Sequence, residues 1–216
     1  MFKVTDFTLA MGIKGSGKTY LSRKVQSFFP KVVVIDTMNE YHDGLVFSDF
    51  DSFCETLLEF KKNRKKVFRL IFKFSPETKN KAVIFDNLLR ILFKCGNLCI
   101  VIEEIHMYSS PHKLPQWLEN CVLIGRHQNL SMVFTSQRPG EINKTILSQC
   151  QHVFCGRAFE KNDIDYQKSF LGVFANNLKT MKKRMFIYFS PDRETLLLMD
   201  NDLKTGLELK EDTSDP

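Results

Sequence analysis

The stretch Gly12-Ile13-Lys14-Gly15-Ser16-Gly17-Lys18-Thr19 constrains this chain more than any other. An apolar run, Phe7 to Met11, precedes it, and a helical pattern carrying Tyr20, Leu21, Val25 and Phe28 follows. The spacing G-x-x-x-x-G-K-[ST] between a strand and a helix is the arrangement that cradles phosphate. Glycines at 12, 15 and 17 permit backbone conformations that a Cβ forbids, so the N–H groups can converge into an anion-binding nest. The positive end of the following helix adds to that field. This assigns Gly12, Lys14, Gly15, Ser16, Gly17, Lys18, Thr19 and Tyr20 to nucleotide binding. Lys18 is expected on the β- and γ-phosphates and the Thr19 hydroxyl on Mg²⁺. The expected ligand is therefore a nucleoside triphosphate, ATP, with its magnesium ion.

Bulk properties narrow the setting. A length of 216 residues suits one α/β domain, expected over 1–209, with 210–216 read as an acidic, disordered tail. An apolar content of 43%, including twenty Phe, is ample for a core. No uninterrupted apolar run is long enough to span a membrane, and the N-terminus lacks a signal peptide's apolar region. The six Cys fall mostly inside apolar periodic segments, which reads as reduced core thiols in a cytoplasmic protein. Cys95 and Cys99 have no matching Cys/His pair at zinc spacing. The net charge of +6 is clustered in Lys61-Lys62-Asn63-Arg64-Lys65-Lys66 and in Lys179 to Arg184. Such runs are ordinarily solvated faces and permit, without requiring, a polyanion partner.

Along the chain, Val32–Ile35 reads as a strand buried on both faces and ends in Asp36. Ser48-Asp49-Phe50-Asp51 resembles a capping box for a helix carrying Phe53, Leu57 and Phe60. Residues 67–74 read as a strand, and Ser75-Pro76-Glu77 as the start of a helix ending at Gly96. Strands are expected at 98–102, 131–135 and 152–155, with a helix after Trp117 and another over roughly 162–178. Arg184–Phe189 and Thr195–Met199 read as an antiparallel pair turned at Ser190-Pro191-Asp192. Alternating strands and helices imply a mostly parallel sheet with helices on both faces. Ligands of such sheets bind at the strands' C-terminal ends.

Leu98-Cys99-Ile100-Val101-Ile102 followed by Glu103-Glu104 matches the Walker B pattern. A carboxylate at the first position holds Mg²⁺ or one of its waters, and one at the second can deprotonate the attacking water. Glu103 stands where Asp is usual, and its longer arm suggests a water-mediated metal contact. Glu104 is the candidate general base, which favours hydrolysis over transfer to a small acceptor. Gln137, ending the next strand, is placed as a sensor of the γ-phosphate. Arg126, at a helix end, is a candidate source of the extra guanidinium that phosphoryl transfer gains from.

Taken together, Gly12 to Thr19, Ile100–Glu104, Gly125-Arg126-His127-Gln128-Asn129-Leu130 and Thr135-Ser136-Gln137-Arg138-Pro139, followed by Ile146 to Cys150, resemble the FtsK/HerA superfamily of DNA-pumping ATPases. The G-R-H…S-Q-R-P segment is the most specific part, and the short length is similar to the genome-packaging ATPases of small icosahedral viruses. The resemblance implies a RecA-like (ASCE) P-loop NTPase fold and a homo-oligomeric ring, a pentamer or hexamer. It also implies ATP hydrolysis between subunits and translocation of double-stranded DNA, with a portal or capsid-vertex protein as docking partner and the host cytoplasm as location. Carried onto this chain, it makes Lys18 and Thr19 nucleotide and Mg²⁺ contacts, Glu103-Glu104 the acidic pair and Gln137 the sensor. Arg126 becomes the finger donated in trans, with Arg138 and Arg157 as rivals. The basic runs and Lys113 are candidate DNA contacts. The competing readings are an assembly or secretion ATPase and a small-molecule nucleotide kinase. The last fifty residues match nothing assignable.

Overall fold

In a computed structural model, which describes residues 2–191 and 195–209, ten strands form one sheet in the order β10-β9-β8-β7-β1-β6-β5-β2-β4-β3. The chain runs β1 (Phe7–Met11), α1 (Lys18–Gln26), β2 (Lys31–Asp36), β3 (Leu45–Phe47), α2 (Phe50–Lys62), β4 (Phe68–Lys73) and α3 (Lys81–Cys95). It continues through β5 (Leu98–Ile102), α4 (Gln116–Ile124), β6 (Leu130–Ser136), α5 (Lys144–Ser148), β7 (His152–Cys155) and α6 (Lys161–Leu171). The last strands are β8 (Met185–Ser190), β9 (Thr195–Asp200) and β10 (Thr205–Glu208). The run from β7 to β3 is parallel throughout, whereas β8, β9 and β10 are each antiparallel to their predecessor in the sheet.

The central strands are apolar at consecutive positions because both faces are covered. Alternate side chains sort into two cores. Leu9, Met11, Val33, Ile35, Ile100, Ile102, Met132 and Phe134 face one side, under α2, α3, α4 and α6. Ala10, Val32, Val34, Cys99, Val101 and Val133 face the other, where Leu21 and Val25 of α1 and the ring of Tyr41 pack. Helix α1 therefore lies on the opposite face from most of the helices, and it carries Lys18 and Thr19, the last two residues of the glycine-rich motif. All six cysteines are unpaired.

The structure departs from the sequence expectations in five places. Helix α3 begins at Lys81 rather than Pro76, because Ser75 closes a local turn first. Its hydroxyl accepts from Glu77 N–H at 3.3 Å and its carbonyl from Thr78 N–H at 3.0 Å. Helix α2 is capped by Asp49, whose carboxylate accepts from Ser52 N–H at 2.8 Å, so the cap sits one residue past Ser48. The helix expected over 162–178 breaks at Gly172, with φ of 57°, into α6 and a 3₁₀ turn. The antiparallel pair is part of a group of three with β10, and β3 is an added edge strand of three residues. The expected turn residue Asp192 and the acidic tail 210–216 lie outside the described residues.

Parallel strands place all their C-terminal ends along one edge of the sheet. The glycine-rich loop after β1, Asp36 after β2, Glu103-Glu104 after β5, Gln137 after β6 and Gly156-Arg157 after β7 meet there. β8 and β10, which run against the parallel strands, bring their N-terminal ends to the same edge, and β9 brings its C-terminal end. Met185, which opens β8, pairs with Asp200, which closes β9.

Candidate functional site

The glycine-rich loop is fixed from both flanks. Gly12 N–H donates to Ser136 carbonyl at 3.1 Å, and Ile13 N–H to Arg157 carbonyl at 2.9 Å. Gly12 has φ of 144°, and a Cβ there would meet Ser16 Oγ at 3.0 Å and Gly156 backbone at 3.1 Å. Gly17, with φ of 102°, is the last residue before α1, whose first residue is Lys18. Lys14 and Gly15 are exposed at the crest, while Ser16 is buried with a hydroxyl that has no hydrogen-bond partner.

Lys18 is buried, 5% exposed, with Nζ donating to Ile13 carbonyl at 3.2 Å. Burial pulls its pKa down, opposed by the charges of Glu104, Glu40 and Glu103 in that order. Glu104 Oε1 lies 4.0 Å from Lys18 Nζ. Gln137 donates to the same carboxylate twice, from its backbone N–H to Oε2 at 2.8 Å and from its side-chain amide to Oε1 at 3.0 Å. His106 Nδ1 stands 3.3 Å from Oε2, and burial lowers its pKa.

Glu103 faces the next residue of the loop, with Oε1 3.5 Å from Thr19 Oγ1 and Oε2 accepting from Met38 N–H at 3.3 Å. Consecutive residues of an extended strand point to opposite sides. Both carboxylates reach the loop because Glu104 leaves the strand in the left-handed region, φ 50° and ψ 57°. That conformation is costly for a non-glycine residue and is held here by Glu104 N–H on Thr135 Oγ1 at 3.1 Å. Burial, then a hydrogen bond and the charge of Asp36, push the Glu103 carboxyl up to about 9.

The structure thus brings Lys18, Thr19, Glu103, Glu104 and Gln137 together. It does not bring Arg126 to them. That residue sits in the turn just before β6, at the opposite edge of the sheet, with Nη2 donating to Gln149 at 2.6 Å. Arg138 and Arg157 instead leave β6 and β7 at the nucleotide edge. The Arg157 guanidinium lies 4.6 Å over the Phe159 ring. Of the basic segments, 61–66 closes and follows α2 at the far edge, whereas Lys113 and 179–184 lie on the near one.

Several residues at the site escaped the sequence reading. Arg184 N–H donates to Ser16 carbonyl at 3.1 Å, and Asn201 N–H to Arg184 carbonyl at 3.0 Å, so the β8 entry and the β9–β10 turn abut the loop. Tyr20 hydroxyl donates to Asp202 at 2.7 Å, leaving its ring half exposed. Thr19 hydroxyl donates to Glu40 at 2.6 Å. A usable signal existed for Glu40 alone, as an acid just past a buried strand of the same sheet.

This architecture is that of a P-loop NTPase, and the chain belongs to the AAA-domain family, whose profile matches residues 3–145. Among solved structures it is similar to the genome-packaging NTPase B204 of Sulfolobus turreted icosahedral virus 2. The ATPγS complex gives a TM-score of 0.72 at 16% identity over 91% of this chain and 98% of that one. The sulfate complex gives 0.72 at 17% over 96% and 100%. A more distant likeness is to ATPases 2 and 3 of EccC from Thermomonospora curvata, at a TM-score of 0.53, 12% identity, and 91% of this chain but 36% of that one. No curated protein sequence matches. The likenesses show the fold alone, a mostly parallel P-loop NTPase sheet with a C-terminal antiparallel group.

Proposed function

We propose that this protein hydrolyses ATP to drive double-stranded DNA, as a viral genome-packaging motor working as a homo-oligomeric ring. The observation that carries the reading is the placement of Glu104, 4.0 Å from Lys18 and tied to Gln137. A lysine suited to the terminal phosphates and a carboxylate suited to take a proton from water thus stand at the same loop, the pairing that phosphoanhydride hydrolysis uses. In this reading Gly12, Lys14, Gly15, Ser16 and Gly17 wrap the phosphates, and the Tyr20 ring supports the nucleoside. Gln137 orients Glu104 and senses the γ-phosphate.

The donors at Thr19 and Glu103 fit Mg²⁺, which takes oxygen ligands. Among the described residues no group of three or more His, Cys, Asp or Glu could hold a metal ion alone. That suits an ion completed by phosphate oxygens and waters rather than by a protein cage. When bound, it would neutralise charge on the transferring phosphate. Glu104 accepts the proton of the water that attacks the γ-phosphorus as the bond to ADP breaks.

In a ring a neighbouring subunit can supply a further guanidinium at the terminal phosphate. Arg126 lies too far from its own loop and is available to a neighbour's. Basic side chains around a shared bore would hold duplex DNA without reading its sequence. No helix among the described residues is long and apolar enough to cross a membrane. The reading places the motor in the host cytoplasm, docked on a portal or capsid-vertex protein. The likeness to EccC favours a second reading, an assembly or secretion ATPase. ATP turnover with and without double-stranded DNA at two salt concentrations, with the mass of the assembled particle, decides between them. Salt-sensitive stimulation by duplex in a ring is expected. A monomer indifferent to DNA would overturn the motor reading.

A further inference from the structure

We propose that Glu40 is the positioning residue of the magnesium-binding hydroxyl: it takes the Thr19 hydrogen, so that the oxygen lone pair is presented to the ion. The proposal rests on the reading that Thr19 and Glu103 hold Mg²⁺.

A hydroxyl that ligates a cation does so through an oxygen lone pair, and its hydrogen must then go to an acceptor on the other side. Two carboxylates face Thr19 Oγ1. Glu103 is at 3.5 Å, beyond a strong hydrogen bond, and Glu40 is at 2.6 Å, the length of a charge-assisted one. The nearer carboxylate therefore takes the hydrogen, which leaves Glu103 for the ion and its waters.

Glu40 is held in place for this by the helix that carries Thr19. The Arg23 guanidinium, one turn along α1, donates to Glu40 carbonyl and lies 5.0 Å over the Tyr41 ring. Tyr41 hydroxyl donates to Ser22 of the same helix at 3.1 Å. The two oxygens of Asp36, at the end of β2, accept from Glu40 N–H at 3.1 Å and Tyr41 N–H at 2.9 Å. Segment 37–41 is thus clamped between β2 and α1. The Glu40 carboxylate itself belongs to an exposed residue and carries none of that clamping. Among the described residues its one hydrogen bond is to Thr19.

The test is nucleotide affinity, measured by titration calorimetry with ATPγS, with and without Mg²⁺. The readout is the ratio of the two dissociation constants. Glu40→Ala is expected to cut the gain from Mg²⁺ by about tenfold or more, the usual effect of losing an outer-shell partner. Its magnesium-free affinity should not fall, and its melting temperature should match the wild type. Glu40→Gln, whose amide oxygen still accepts, should keep most of the gain. The inference is overturned if Glu40→Ala keeps the wild-type ratio, if both affinities fall together, or if Glu40→Gln falls as far as Glu40→Ala. Thr19→Ala separates the two levels. A variant that keeps the gain would remove Thr19 as a ligand, and Glu40's role with it. Loss of the gain in Thr19→Ala but not in Glu40→Ala would sink the role of Glu40 alone.

Discussion

Gln137 holds the Glu104 carboxylate at both oxygens, its backbone N–H on one and its side-chain amide on the other, at 2.8 and 3.0 Å. One residue at the end of β6 thereby fixes the orientation of an acid at the end of β5. Any movement of β6's terminus on nucleotide binding is passed to the group that would activate water.

That coupling makes the first prediction specific. Glu104→Gln keeps the shape and an oxygen for the Gln137 N–H but cannot take a proton. ATP binding should persist, while turnover falls by about 10²–10⁴-fold, the usual scale for a lost general base. Single-turnover hydrolysis alongside equilibrium binding reads both. Turnover within a few-fold of wild type would remove Glu104 as the base.

Glu103 gives a pH dependence whose sign can be worked out. Its carboxyl is raised from 4.5 to about 9 by burial and by Asp36, so between those values the folded chain keeps a proton that the unfolded chain releases. Stability from this group is complete below the unfolded value and is lost as pH climbs towards the folded one. Glu103→Gln has no proton to lose. Its melting temperature should match the wild type near the acid end and exceed it by about 3 °C or more at the alkaline end, the shift expected for about 1 kcal/mol in a chain this long. A gap that stays constant across that range would show that Glu103 is ionised in the fold.

The parts of the site legible in the sequence are those built from neighbours in the chain. Glycine spacing before Lys18 and an apolar strand before Glu103-Glu104 each specify a local geometry, and the parallel-sheet rule sends both to one edge. Arg184, Asn201 and Asp202 were not legible, because they reach the loop only through the reversal of β8 and β9. Local signals can also mislead. Ser75-Pro76 has the composition of a helix start, yet Ser75 satisfies the next N–H groups in a turn of its own. Two adjacent acids on one strand would ordinarily diverge. Only the left-handed backbone at Glu104 shows why both face the loop.

Electrostatics separates the basic segments. Arg184 is bound through its backbone to Ser16, so Lys182 and Lys183 lie beside the nucleotide loop, whereas 61–66 lies at the far edge. If the near run touches DNA, Lys182→Ala with Lys183→Ala should weaken duplex binding evenly across sequences. The dependence of log affinity on log salt should become shallower by about 0.9 per lost phosphate contact. The same pair of changes at Lys61 and Lys62 serves as the comparison. An unchanged slope in the first variant with a shallower one in the second would move the DNA contact to the far edge.

Arg126 is the residue whose role depends most on assembly. Within one chain it is separated from Lys18 by the length of the sheet and pairs with Gln149, so Arg126→Ala should leave nucleotide binding by that chain unchanged. In a ring its loss would fall on the neighbour. Extra guanidinium groups of this kind contribute about 10³–10⁵ in rate where they act, enough that one defective subunit silences the site beside it. Mixing the variant into wild-type rings should then depress ATP turnover more steeply than the wild-type fraction declines. Proportional loss would mean that each subunit works with its own arginine. Arg138 and Arg157, already at the nucleotide edge of the same chain, would then be the groups to replace next.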